Sequence, residues 1–121
     1  MNLISHIEIP VANLERATSF YATVFGIAFG NIVNLHGSRM AHFPFEEGKD
    51  GASGALAEGE AYVPTVNGAI VYFSVADIDA VIKRAVGHGS EVLFPKTAIG
   101  KQAFVAEIKD SEGNRIALQT L

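Results

Sequence analysis

The sequence predicts an α+β protein: two tandem β-α-β-β-β modules whose strands form a cup-shaped mixed sheet, with the helices on its outer face. Three observations predict it. His6-Ile7-Glu8-Ile9-Pro10-Val11-Ala12-Asn13-Leu14-Glu15 matches Ile70-Val71-Tyr72-Phe73-Ser74-Val75-Ala76-Asp77-Ile78-Asp79 at a constant offset of 64 residues, and self-similarity at a fixed period marks a repeated structural unit. Each copy alternates apolar and polar residues, then switches to helical spacing. Three short strand-like pieces follow each helix.

Residues 3–11 open the first copy as a strand. Ile7, Ile9 and Val11 point one way and His6, Glu8 and Pro10 the other. Asn13 suits an N-cap, because its side chain can accept from the free amides of a first helical turn. Leu14, Ala17, Phe20, Tyr21, Val24 and Phe25 then form an apolar stripe, and Gly26 supplies a left-handed stop. Strands are expected at about 28–35, 39–45 and 53–58, with Gly37-Ser38 and residues 46–51 as turns. Residues 59–68, with Pro64, Asn67 and Gly68, read as a linker. In the second copy Val71, Phe73 and Val75 repeat the apolar face and Asp77 is the cap. Ile78, Val81, Ile82, Ala85 and Val86 make the stripe, and Gly87 or Gly89 ends the helix. Strands are expected at about 91–94, 103–109 and 115–120. Phe94 to Lys101 reads as a loop, and Asp110-Ser111-Glu112-Gly113-Asn114 as a tight hairpin connection. The organisation is one domain over 1–121, with module one at about 1–58 and module two at about 69–121.

A module of about 60 residues buries only about 60% of its unfolded surface and is marginal alone, so each half is expected to lean on the other or on a partner chain. Hydrophobic residues make up 49% and charged residues 18%, as in an ordinary folded protein. Thirteen acidic against nine basic residues give a formal charge of −4. The basic residues are scattered, so nucleic acid is not an expected partner. Absence of cysteine excludes disulfides, Cys-ligated zinc and thiol catalysis. No basic-plus-apolar leader opens the chain, and no apolar run approaches the roughly 18 residues of a span. A soluble cytoplasmic protein with no membrane partner is the expectation.

The pattern resembles the vicinal oxygen chelate superfamily, the glyoxalase/bleomycin-resistance/dioxygenase group. The matching residues are His6, the run Val11-Ala12-Asn13-Leu14-Glu15-Arg16-Ala17, Phe20-Tyr21, Phe25-Gly26, Val75-Ala76-Asp77-Ile78, and Asp110-Ser111-Glu112-Gly113-Asn114-Arg115-Ile116-Ala117-Leu118. The resemblance implies a concave site lined by the strand faces away from the helices. It also implies a divalent ion held there by His, Glu or Gln from the first and last strands of the modules, acting as a Lewis acid on a chelated substrate. Carried over by position, His6 stands at one ligand place, but its repeat partner is Ile70 and the closing-strand carboxylate falls on Ala117. The matching stretch of module one, Ser53-Gly54-Ala55-Leu56, offers no ligand. One histidine does not hold a divalent ion. The expectation is a member that lacks most of the usual metal ligands, with no cofactor and a divalent metal disfavoured.

His6 and Glu8 are the candidate catalytic pair, and His6, Glu8, His42, Tyr72 and Glu107 the candidate ligand-binding set. Each has a plainer role open to it: His6 as a hydrogen-bonded structural histidine, Glu8 and Tyr72 as partners of each other across the two modules. Convergence of His6, Glu8, His42 and Glu107 would make a rearranged metal site. Gln102, Arg115 and Gln119 could line the rim, and Lys96 or Lys101 could draw an anionic substrate. Phe43, Phe45, Tyr62, Tyr72 and Phe104 are possible walls for a planar ligand, or ordinary packing. The favoured function is a protein that binds a small organic ligand in the concave site without the usual metal, as a homodimer. The alternatives are a lyase, isomerase or dioxygenase-type enzyme using His6 and Glu8 or a nonstandard metal, and a partner-regulating dimer with a vestigial site.

Overall fold

The structure, a computed structural model, describes residues 2–120. Ten elements follow in order: β1 (His6–Val11), α1 (Leu14–Phe25), β2 (Val33–Leu35), β3 (Ser38–His42), β4 (Ser53–Glu58), β5 (Val71–Ser74), α2 (Ile78–Gly87), β6 (Val92–Gly100), β7 (Ala103–Lys109) and β8 (Arg115–Thr120). They make two four-stranded mixed sheets of the same topology, β1-β4-β3-β2 and β5-β8-β7-β6. In each sheet the first pair is parallel and the others antiparallel.

The caps act as the side-chain chemistry requires. Asn13 accepts from the Arg16 amide and Asp77 from the Ala80 amide, and Gly26 closes α1 at φ 65°. The stripe Leu14, Ala17, Phe20, Tyr21 and Val24 is buried, and with Ile9, Val11, Ile108, Ile116 and Leu118 it forms one core drawn from both halves. The Phe73 ring of β5 lies 4.7 Å from Phe25 and 5.9 Å from Tyr21, so α1 touches the second sheet as well as its own. Each large apolar side chain buried this way contributes about 1.5–3 kcal/mol.

Two strand expectations are corrected. Residues 28–32 are not strand, since β2 is only Val33–Leu35 on the sheet edge. Gly30 and Asn31 favour no strand there. The segment expected as a loop from Phe94 to Lys101 is instead mostly β6, which runs to Gly100. It pairs with β7 through three register shifts, and an edge strand tolerates Pro95 because one side of its ladder stays unpaired.

The turn between β7 and β8 joins the halves. Glu112, whose side chain has no exposed surface, accepts from the amides of Ala12 (3.0 Å) and Asn13 (2.9 Å) through one oxygen and pairs with both arms of the Arg16 guanidinium. Burial alone would raise its carboxyl, but the bonds from Arg16, Ser111 and the Asn13 amide outweigh that and hold it below the usual value. Beside it the buried Asp110 carboxylate accepts from the Tyr21 hydroxyl, two Asn114 donors and the Glu112 amide. Burial, and then the neighbouring Asp110 charge, push the Tyr21 phenol well up, so it stays a donor. Asn114 also donates to the Pro10 carbonyl at 2.7 Å and accepts from the Thr65 amide.

Glu112→Ala leaves two amides and a guanidinium without their acceptor, and a buried group left unsatisfied costs about 1–3 kcal/mol. Urea unfolding is expected to show a loss of about 2–3 kcal/mol; a loss under about 0.5 kcal/mol contradicts the clamp. A second prediction concerns acid. The Arg39 guanidinium holds the Glu15 carboxyl at about 2 and, with the Leu14 amide, holds Glu58 below its ordinary 4.5. Carboxyls depressed in the folded state stabilise it above their unfolded pKa, and that stabilisation disappears as pH falls through the folded value. Stability is therefore expected to decline from about pH 4.5 towards pH 2, and Arg39→Met to flatten that decline in urea titrations at stepped pH.

Candidate functional site

Strand parity places the candidate residues. Ile7 and Ile9 pack towards the helices, so His6 and Glu8 occupy the helix-free face of the first sheet. Cross-strand register sets Glu8 beside Ala55 and Ala55 beside His42, making a row across β1, β4 and β3. In the second sheet Tyr72 lies beside Ala117 and Ala117 beside Glu107. The two rows are equivalent: Glu8–Ala55–His42 in one half, Tyr72–Ala117–Glu107 in the other. Adjacent strands lie about 4.8 Å apart, so the flanking residues of a row stand about 10 Å apart across an alanine.

In the first sheet His6 and Glu8 are already engaged. His6 Nδ1 lies 2.7 Å from the Ser53 hydroxyl, which donates to the Ser5 carbonyl. His6 Nε2 is 3.7 Å from Glu8, and the His6 and His42 rings are 6.2 Å apart. The Tyr62 hydroxyl donates to Glu8 Oε1 at 2.8 Å, and this bond raises the Tyr62 phenol above its ordinary value. The Tyr62 ring packs on Met40, Ala55 and Ala57, which form a small core on this face. In the second sheet Glu107 is paired with Arg115, and Tyr72 is half exposed.

The residues singled out in the sequence thus fall into two groups. His6, Glu8 and His42 lie together; Tyr72 and Glu107 share the other row. Glu8 bonds Tyr62, not Tyr72 as the repeat suggested, because Tyr72 sits on the other sheet. Among the walls expected for a planar ligand, Phe43 and Phe104 pack on the helix-side core instead, and Phe45 is exposed in the β3–β4 connection. Lys96 is paired with Asp79 and lies over the Phe104 ring. Gln102 and Lys101 form the β6–β7 turn, with Gln102 at φ 62°, and Gln119 stands beside Val105. Sequence reasoning missed the tie between Tyr62 and Glu8 and the seat of His6 on Ser53. Tyr62 lies in the connection after β4, where no periodicity signals which face it meets, and Ser53 meets His6 only through the register of β4 against β1.

Comparison with known proteins accords with this geometry. The family model described as the Glyoxalase/Bleomycin resistance protein/Dioxygenase superfamily matches residues 3–118. A glyoxylase-like domain-containing protein of Didymella fabae is 31% identical, covering 97% of this chain and 92% of that protein. The chain belongs to this superfamily. In fold it is similar to a glyoxylase/bleomycin resistance protein/dioxygenase domain from Frankia sp. EAN1pec (TM-score 0.77, 16% identity, 99% of this chain and 92% of that one). It is likewise similar to TnmS3, an antibiotic binding protein from Streptomyces sp. CB03234 (TM-score 0.68, 21% identity, 99% and 96%).

The residues present do not fit the divalent ion that the family resemblance implies. Ala55 and Ala117 occupy the centres of the two rows, Ile70 stands opposite His6 in the repeat, and Glu8 and Glu107 are bonded to Tyr62 and Arg115. Among the described residues no three His, Asp or Glu side chains are grouped to hold a metal. No described helix is long and apolar enough to cross a membrane.

The Glu8–Tyr62 bond makes a spectroscopic prediction. Glu8→Gln removes the carboxylate that favours the protonated phenol, so the Tyr62 ionisation is expected to move to lower pH in a phenolate absorbance titration. Tyr62→Phe, which removes this phenol, assigns its transition among the three tyrosines. An unmoved Tyr62 transition contradicts the bond.

Proposed function

We propose that the helix-free faces bind a small organic molecule without the ion common in the family, and that a second copy of the chain completes the site. The observation that carries this reading is the pair of equivalent rows. Each keeps polar or aromatic groups at its ends, Glu8 with His42 and Tyr72 with Glu107, around an alanine where the resemblance implied a carboxylate. A surface with a few fixed polar groups around apolar floor suits orientation of an organic ligand. TnmS3, similar in fold, is an antibiotic binding protein. A cytoplasmic setting belongs to the same reading. Its ligand-contact residues are His6, Glu8, His42, Tyr72 and Glu107, joined by Tyr62.

A second reading, an acid–base enzyme of lyase or isomerase type, is favoured by the cluster of His6, Glu8 and Tyr62. Glu8 would accept a substrate proton and the Tyr62 phenol, which already donates to Glu8, would return one.

Metal analysis of protein purified without chelator, followed by thermal-shift screening with aromatic antibiotics and 2-oxoaldehyde adducts, tests both. The proposal expects no stoichiometric Ni, Zn, Mn or Fe, and a melting temperature that rises with ligand as RT ln(1 + [L]/Kd). Stoichiometric metal contradicts it. If turnover of a screened compound is found, His6→Ala and Tyr62→Phe should each lower kcat about 100-fold or more under the acid–base reading. Unchanged turnover in both removes that reading.

A further inference from the structure

The two halves differ at the N-termini of their helices. Leu56 beside Ile9 and Leu118 beside Phe73 are equivalent positions, since Ile9 and Phe73 match in the repeat. Counting back along each chain sets Gly51 against Gly113, and both are at positive φ, 103° and 97°. Asp50 is then the counterpart of Glu112, Ala52 of Asn114 and Gly48 of Asp110. On the helix side Ala76 and Asp77 match Ala12 and Asn13, and Ala80 matches Arg16.

The start of α2 therefore lacks the clamp: Ala80, Ala52 and Gly48 stand where the other half has Arg16, Asn114 and Asp110, and the shorter Asp50 stands for Glu112. A cavity of about 1020 Å³ opens in its place, bounded by the 50–54 stretch, β5 and the first turns of α2. That is the size at which proteins hold drug-sized molecules, roughly 300–1,000 Å³. Its lining also takes in Tyr72 and Ser53, so it adjoins the helix-free face, although neither His6 nor Glu8 is part of it. Phe25, Phe43 and Phe73 form one wall, with ring centroids 4.7 Å and 5.7 Å from Phe73 to the other two.

The polar end of the cavity has a counterpart that shows its chemistry. In module one the amides of Ala12 and Asn13 converge on a single carboxylate oxygen of Glu112. Among the described residues nothing accepts from the matching amides of Ala76 and Asp77. Charge selects the occupant. Where module one has neutral Asn13 and cationic Arg16, module two has the Asp77 carboxylate and Ala80, with Asp50 on the opposite wall. The Arg84 guanidinium, one turn on from Ala80, also lines the cavity and donates through Nε to the Val24 carbonyl. Two carboxylates against the one arginine leave the lining net negative and disfavour an anion, whereas a neutral carbonyl oxygen meets both amides without that repulsion.

We propose that this cavity is a binding site for a planar aromatic ketone or amide, its rings against Phe25, Phe43 and Phe73 and its carbonyl oxygen on the amides of Ala76 and Asp77. The probe for it is prodan, a neutral naphthyl ketone dye whose emission moves to the blue in apolar surroundings. Titration of the purified protein is expected to give saturable, blue-shifted emission at one dye per chain. Ala80→Arg restores the module-one residue and fills the polar end; Ala52→Trp fills the cavity from the exposed connection. Each is expected to weaken prodan at least about tenfold while the protein still melts cooperatively. Because the two variants sit on different elements, a folding defect in one leaves the other to decide. The absence of saturable binding overturns the proposal, as does affinity unchanged from the wild type in both variants. Weakening by Glu8→Gln alone would place the dye on the helix-free face and overturns it too.

Discussion

A carboxylate with no exposed surface must be surrounded by donors, and for Glu112 those donors come from the other half of the chain. The turn that carries it is built around a second buried carboxylate, Asp110, whose oxygens are filled by Tyr21, Asn114 and the Glu112 amide. Folding of the β7–β8 turn and seating of α1 are thus one event. Two sheets that would each be marginal at their size become interdependent through this tie and through the core that α1 shares with β5. The face bearing the candidate site is positioned by the same contacts, since Asn114 holds the Pro10 carbonyl at the end of the strand that carries His6 and Glu8.

Duplication has preserved geometry here while allowing chemistry to diverge. Both sheets keep an alanine at the centre of a cross-strand row and polar or aromatic groups at its ends, but Glu8 and His42 in one correspond to Tyr72 and Glu107 in the other. Both helix starts keep a side-chain cap on the third amide. One of them is closed by a carboxylate from across the molecule, and the other faces a cavity.

What could be read in the sequence follows from range. The repeat, the caps Asn13 and Asp77, the left-handed stop at Gly26 and the apolar stripes depend on neighbours within a turn, and these were legible. Parity along β1 put His6 and Glu8 on one face correctly, because the strand is regular. For Phe43 and Phe104 the sequence leaves wall and core both open, and the structure packs them on the core: the two roles differ by a single step along the strand, and only the register decides it. Phe94 to Lys101 read as loop because Pro95 and Gly100 are turn residues, although an edge strand admits both. Glu112 read as part of a hairpin turn. Its partners lie 99 and 100 residues away, and no local pattern announces them.

The central claim is that one carboxylate closes the first helix start while the second stays open, and native-state hydrogen exchange by NMR tests it most directly. The account predicts that the Ala12 and Asn13 amides exchange slowly and lose protection in Glu112→Gln, while the Ala76 and Asp77 amides exchange fast in both proteins. Equal protection of the two pairs, or protection of Ala12 and Asn13 that survives the substitution, would contradict it.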